Sequence, residues 1–188
     1  MAVCIMLSIS SVAVHAEEAD PVNNQKTSTP TIISQSAKIP LPSDNPNIKK
    51  YQIKTVYNNG FYAIDVMIDE KLPSHLSLMA ASNGYQNRIR LETDKTLYTL
   101  SNVKVAYVRA VGLFEYNVRR NVRVNNTYGS GLFDINNSMV NYHTSSVGFS
   151  NNTNTATVYT QYRVVTLHGF GEEANKISIT CDYMGNRV

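Results

Sequence analysis

The chain has 188 residues and a formal net charge of +3, and charged residues make up 16% of it. That length suits one domain with a hydrophobic core and leaves little room for two. The segment 49–188 carries 15 Lys and Arg against 10 Asp and Glu, which is too weak a positive charge for a dedicated nucleic-acid binder.

Residues 1–16 predict a signal peptide. Ala2 to Val14 form a mostly apolar run that is too short to cross a bilayer, and Val14-His15-Ala16 fits the small-x-small rule for cleavage. No Lys or Arg precedes this run, so either translation starts further upstream or the signal is weak. We therefore expect a protein that is secreted, periplasmic or held at the cell surface.

Residues 17–48 are rich in proline, serine, threonine and asparagine. A segment of this composition buries too little apolar surface to offset the entropy lost on ordering, so it predicts a flexible linker. An alternative is that Thr31 to Leu41 is donated as an extra strand to the sheet of another subunit, as in pilins. The poor alternation of this segment favours the linker.

The strongest structural signal is a predicted hairpin over Tyr51 to Ile68. Apolar and aromatic residues alternate with polar ones on both sides of Asn58-Asn59-Gly60. An Asn-Gly pair between two such runs predicts a tight turn, because both residues tolerate positive φ.

Further short β-prone runs follow, separated by polar turns such as Glu92-Thr93-Asp94. The predicted strands are 50–57, 61–68, 75–80, 86–92, 96–100, 103–109, 113–124, 138–143, 155–167 and 176–183. Many short strands at this spacing are typical of an all-β sandwich. We therefore expect a single antiparallel, immunoglobulin-like β-sandwich over 49–188.

Leu113 to Val124 is predicted as one long strand with an apolar and a polar face. Arg119 and Arg123 would share its polar face, about 14 Å apart by strand geometry. Arg120 falls in the apolar series, which predicts a position at a sheet end or edge. These three arginines are candidate binding residues, although an ordinary solvated sheet face explains them as well.

The loop 125–131, which follows this strand, carries a single aromatic residue, Tyr128. An exposed tyrosine offers an apolar face and a hydroxyl group at low entropic cost. Tyr128 is therefore a fourth candidate binding residue, and a solvated connection is the alternative.

No set of residues predicts an active site. His75, His143 and His168 are far apart and lack the spacing of metal ligands. Cys181 lies in an alternating strand pattern that predicts a buried, unreactive thiol. We expect no cofactor, no metal and no enzymatic activity.

The sequence thus favours an exported, non-catalytic binding module, adhesin-like or effector-like. Its expected partner is a protein at the outer envelope or on a host cell, with roles in adhesion and virulence, no nucleic acid and peripheral membrane contact at most. The alternatives are a polymerising pilin-type subunit, a small membrane-active toxin, and a small hydrolase that uses dispersed carboxylates such as Asp65 and Glu115.

Overall fold

The computed structural model describes residues 30–74, 84–117, 119–167 and 172–188. Strands dominate these ranges, and no described residue is in an α-helix, so none forms a helix long and apolar enough to cross a membrane. The strands are β1 (Ile32–Gln35), β2 (Ile39–Leu41), β3 (Ile48–Tyr57), β4 (Phe61–Leu72), β5 (Asn87–Thr99), β6 (Lys104–Tyr116), β7 (Val122–Asn126), β8 (Gly131–Phe133), β9 (Val140–Asn151), β10 (Thr155–Thr166) and β11 (Glu172–Asp182).

The strands form two antiparallel sheets. The larger sheet has the order β1-β3-β4-β5-β6-β7, with β2 also paired to β3 and β8 also paired to β6. The smaller sheet has the order β11-β10-β9. The prediction of an all-β, antiparallel, two-sheet domain is therefore confirmed. The predicted signal peptide lies outside the described residues.

The hairpin expected at the centre of the sequence is present as β3 and β4. Its register pairs Tyr51 with Met67 and Ile53 with Asp65. Gly60 closes the turn at a φ of +81°, a conformation that glycine adopts without a steric cost. This register sets the position of every inward side chain on the two strands.

The core lies between the two sheets and is built from the inward positions of the long strands. Its fully buried large side chains include Leu91, Leu97, Val108, Phe114, Val158 and Ile179. Cys181 is also fully buried, as predicted, and burial raises the pKa of its thiol to about 12. The thiol is therefore protonated and unreactive at neutral pH.

The predicted linker differs from the structure over residues 30–48. Here β1 and β2 pair with β3 instead of remaining free. Ile32, Ile33 and Ile39 stay at least half exposed, so backbone pairing rather than burial holds these strands. The linker was predicted from a composition that buries little apolar surface. Edge strands held by backbone pairing do not need such burial, so composition does not reveal them.

Two predicted interruptions between strands are also absent from the structure. The predicted turn at Glu92-Thr93-Asp94 lies inside β5, because the guanidinium of Arg109 binds the carboxylates of both Glu92 and Asp94 on the outer face of the sheet. The predicted strands 103–109 and 113–124 share one continuous strand, β6. The strand predicted over 75–80 lies outside the described residues.

Candidate functional site: a lysine-lined pocket

The predicted arginine face does not form. The run 113–124 is interrupted after Tyr116 by a tight turn, in which the Asn117 side-chain oxygen accepts the backbone N–H groups of Arg119 (2.9 Å) and Asn121 (3.2 Å). Arg120 has a φ of +65°, which belongs to a turn and not to a strand. The prediction that these arginines lie along one strand is therefore wrong.

The four predicted binding residues are also separated from one another. Arg123 binds Glu115 at 2.7 Å and stacks over the ring of Tyr85, so its charge is compensated. Arg119 and Arg120 are exposed in the turn before β7. Tyr128 is 89% exposed in the loop after β7, at the opposite end of that strand. These residues do not make one site.

A different set of cations surrounds a pocket of about 320 Å³ at the end of the larger sheet. Lys49 and Tyr51 come from β3, Lys71 comes from β4, and Lys38 comes from the connection between β1 and β2. The C-terminal segment supplies Gly185, Asn186 and Arg187. We call this site the lysine pocket.

The hairpin register explains why these side chains meet. Lys49 pairs with Asp69 across β3 and β4, so Lys49 and Lys71 are diagonal neighbours on one face. That face is the one whose later positions, Thr55 and Tyr57, are buried in the core. The lysines occupy core-facing positions at strand ends, where they remain exposed.

The lysine pocket carries uncompensated positive charge. Its carboxylate, Asp69, is bound at 2.7 Å by the Arg187 guanidinium. Among the described residues, no carboxylate lies within ion-pair distance of Lys38, Lys49 or Lys71. The Lys38 ammonium instead lies 3.8 Å from the centre of the Tyr51 ring. Three ammonium groups without a carboxylate partner are suited to an anionic group, because each can donate hydrogen bonds to it.

A larger depression of about 490 Å³ lies across the outer face of the smaller sheet. One of its two cations is paired, because Arg163 binds Glu172 at 2.6 Å, and Lys176, which stacks on Tyr159, is the other. The rest of its lining is small or neutral and includes Thr144, Ser146, Gln161 and Ala174. This surface offers less charge for recognition than the lysine pocket does.

The ionisable groups buried between the sheets form a separate cluster. The Lys95 ammonium donates to the Tyr57 hydroxyl at 3.0 Å and lies 3.5 Å from an Asp65 oxygen. The Tyr162 hydroxyl donates to Glu173 at 3.2 Å. Tyr57, Tyr162 and Glu173 are at most 3% exposed, so a substrate has no access to them, and we assign the cluster a structural role.

Burial sets the protonation of this cluster. It raises the pKa of Asp65 and the pKa of Glu173, and the Lys95 ammonium only partly opposes these shifts. Burial by itself would lower the pKa of Lys95. Asp65 and Tyr57 together raise this pKa by more than burial lowers it, so the amine stays charged.

The two carboxylates named for the hydrolase alternative do not lie together. Asp65 faces the interior, whereas Glu115 lies next to the inward residue Phe114 and on the opposite face of the same sheet. Within the described ranges, no group of three or more His, Cys, Asp or Glu residues could hold a metal ion.

Sequence reasoning missed the lysine pocket although a signal for it was present. The Asn-Gly hairpin fixes the pairing of β3 with β4 and so brings Lys49 close to Lys71. Lys38 was assigned to the linker, and its approach to Tyr51 depends on the pairing of β2 with β3.

Comparison with known proteins leaves the fold and the site as the basis for a functional assignment: no family model, curated protein or solved structure matches the chain.

Proposed function

We propose that this protein is a non-catalytic binding module, which acts after export and holds an acidic segment of a partner protein in the lysine pocket. One observation supports this most directly: Lys38, Lys49 and Lys71 line one pocket without a carboxylate partner among the described residues. An acidic partner supplies the missing negative charge and is drawn in by the local potential. The pocket volume is within the range of small-ligand sites and accommodates a carboxylate side chain.

The cellular setting of this proposal rests on the sequence. The apolar run 2–14 supports export, and an exported binder of acidic segments fits an adhesin-like or effector-like role at a cell surface. An immunoglobulin-like type of sandwich remains a prediction, which the consecutive order of strands within each sheet does not favour.

Binding of a fluorescently labelled oligoglutamate peptide tests the proposal, with uncharged and oligolysine peptides of equal length as references. We expect the whole chain to bind the oligoglutamate peptide and neither of the two reference peptides. The affinity should fall as the salt concentration rises. The variant carrying Lys49→Gln and Lys71→Gln should lose at least about tenfold in affinity, equivalent to about 1.4 kcal/mol.

The variant carrying Lys50→Gln and Lys54→Gln is the matched control. It also removes two lysine charges, but from positions on β3 that are outside the lysine pocket. Equal losses of affinity in this control and in the pocket variant would mean that only the overall charge matters. Absence of oligoglutamate binding would contradict the proposed ligand class.

A pilin-type subunit is a second candidate because of the exposed isoleucines of β1 and β2. Ile32, Ile33 and Ile39 gain little burial from pairing with β3, so a neighbouring subunit could bind them better. Replacing Ile32 and Ile33 with serine separates the two functions. Loss of polymers would support the pilin-type subunit, whereas retained oligoglutamate binding without any polymer would support the binding module.

A further inference from the structure

Most sheet edges of this fold are covered or short. In the larger sheet, the outer edge of β3 is covered by β1 and β2, and that of β6 by β7 and β8, which are strands of three to five residues. The outer edge of β11 is covered by the C-terminal segment over its last residues only, where Val188 N–H donates to the Thr180 carbonyl and Asp182 N–H donates to the Asn186 carbonyl. The rest of β11 carries charged side chains, Glu172 and Lys176 among them, and such charges protect an edge strand against pairing.

The edge of β9 has no such cover. This strand is 12 residues long, lies at the end of the smaller sheet, and is exposed along nearly all of its length. No described strand other than β10 pairs with it. Val140–Asn151 also contains no Lys, Arg, Asp or Glu, although charges on an edge strand are a common protection against pairing.

The inward side chains of β9 are exposed as well. Val147 pairs with the buried Thr160, and Phe149 pairs with the buried Val158. Their side chains therefore belong to the core-facing side of the sheet, yet Val147 is 42% exposed and Phe149 is 58% exposed. Apolar surface is therefore open next to the free edge of β9.

We infer that the free edge of β9 pairs with β9 of a second copy of this chain, antiparallel and about a two-fold axis. A neutral strand meets no like-charge repulsion from its own copy, and two strands of identical length leave only one end residue of each unpaired when the axis passes through residue 145 or 146. The two three-stranded sheets become one sheet of six, and the exposed backbone groups are hydrogen-bonded. Two-fold pairing is the common symmetry of homodimers.

The dimer is expected to be a weak one. A single pair of strands buries less surface than a standard permanent interface does, which predicts a concentration-dependent equilibrium. This inference does not depend on the lysine pocket, since that pocket lies on other strands.

Sedimentation velocity over a series of protein concentrations tests the pairing. We expect the whole chain to shift from monomer to dimer as the concentration rises, and Ser146→Lys to remain monomeric because two like charges then meet near the axis. Gln161→Lys is the control: Gln161 pairs with Ser146, is also exposed and lies on the same face, but it belongs to the central strand β10. It should dimerise as the parent does.

Single cysteines at positions 144, 145, 146 and 147 locate the axis. A residue on a two-fold axis faces its own copy, so one position should form an oxidised dimer far more readily than the others, and Gln161→Cys should not. Cys181 is fully buried and does not compete, and Cys4 is replaced with serine in every variant. A chain that is monomeric at every concentration, or a dimer that Ser146→Lys leaves intact, would overturn the inference.

Discussion

At the scale of single residues, the buried cluster shows how the interior tolerates charge. Asp65 and Glu173 share one ammonium, that of Lys95, inside a core where their neighbours are aromatic. Burial removes water from both carboxylates and disfavours their charged forms more than the Lys95 ammonium favours them. The folded state therefore favours protonation of these carboxyl groups, and their pKa values are raised.

Glu173→Gln should reduce the pH dependence of stability. The folded-state pKa of Glu173 lies above its ordinary value of 4.5, so its contribution to stability is full below that value and is lost as pH rises through the folded pKa. The neutral glutamine avoids this loss, so the variant should gain on the parent between acidic and neutral pH. Urea unfolding at a series of pH values measures the difference, and parallel curves for the two proteins would contradict it.

Position 112 has no room for a side chain, so the packing of the core requires glycine there. A Cβ atom there would collide with the Phe114 ring and lie 3.0 Å from a methyl group of Val158. Gly112→Ala therefore overpacks the core and should lower the free energy of unfolding by about 1–3 kcal/mol. Chemical denaturation measures this loss. A neutral effect in Gly112→Ala would mean that Phe114 can move aside without cost.

At the scale of elements, local patterns predicted the structure where turn chemistry and alternation agreed. The β3–β4 hairpin follows from Asn58-Asn59-Gly60 and from the alternation on both sides of it. The turn predicted at Glu92-Thr93-Asp94 is wrong, because consecutive polar residues resemble a turn. In the structure Glu92 and Asp94 lie on the outer face of a central strand and bind Arg109. Long-range partners decide such cases, and a single sequence does not contain them.

The turn between β6 and β7 shows the opposite failure. Alternation continued through it, so one strand was predicted where two strands meet. Asn117 is the signal that was missed, since its side chain can replace a strand partner by accepting backbone N–H groups.

Asn117→Ala should therefore destabilise this turn. The side chain is buried and accepts two backbone N–H groups, and their loss should cost about 1–2 kcal/mol. Asn126→Ala is a suitable control, because Asn126 accepts one backbone N–H, that of Tyr128, in an exposed loop. Thermal unfolding of both variants tests the difference, and equal losses would argue against a special role for Asn117.

At the scale of the whole molecule, the sequence predicted the class of fold better than the site. Period-two alternation is local, so an all-β domain could be expected without knowing any long-range contact. The lysine pocket joins residues from the β1–β2 connection, β3, β4 and the C-terminus. Its formation depends on the register of the strands and on where the C-terminal residues pack against the sheet. Both are properties of the folded chain.

Arg187 connects stability to the proposed binding at this scale. Its guanidinium binds Asp69, the Thr93 hydroxyl, and the carbonyls of Ile68 and Glu92, so it ties the C-terminal segment to β4 and β5. Arg187→Ala should cost about 3 kcal/mol or more, because it removes four hydrogen bonds donated by a charged group. Arg187→Lys should recover only part of that loss, since an ammonium group cannot reproduce the planar fork.

The same substitution should also weaken anion binding. Without the guanidinium, the Asp69 carboxylate is free to pair with Lys49 or Lys71 and to neutralise part of the lysine pocket. The Arg187→Ala, Asp69→Asn double variant removes both charges and should regain oligoglutamate affinity while its C-terminal segment stays loosened. Peptide titration and urea unfolding on the three proteins separate the effects. Affinity that follows stability in every variant would mean that Arg187 acts on the lysine pocket only by holding the fold together.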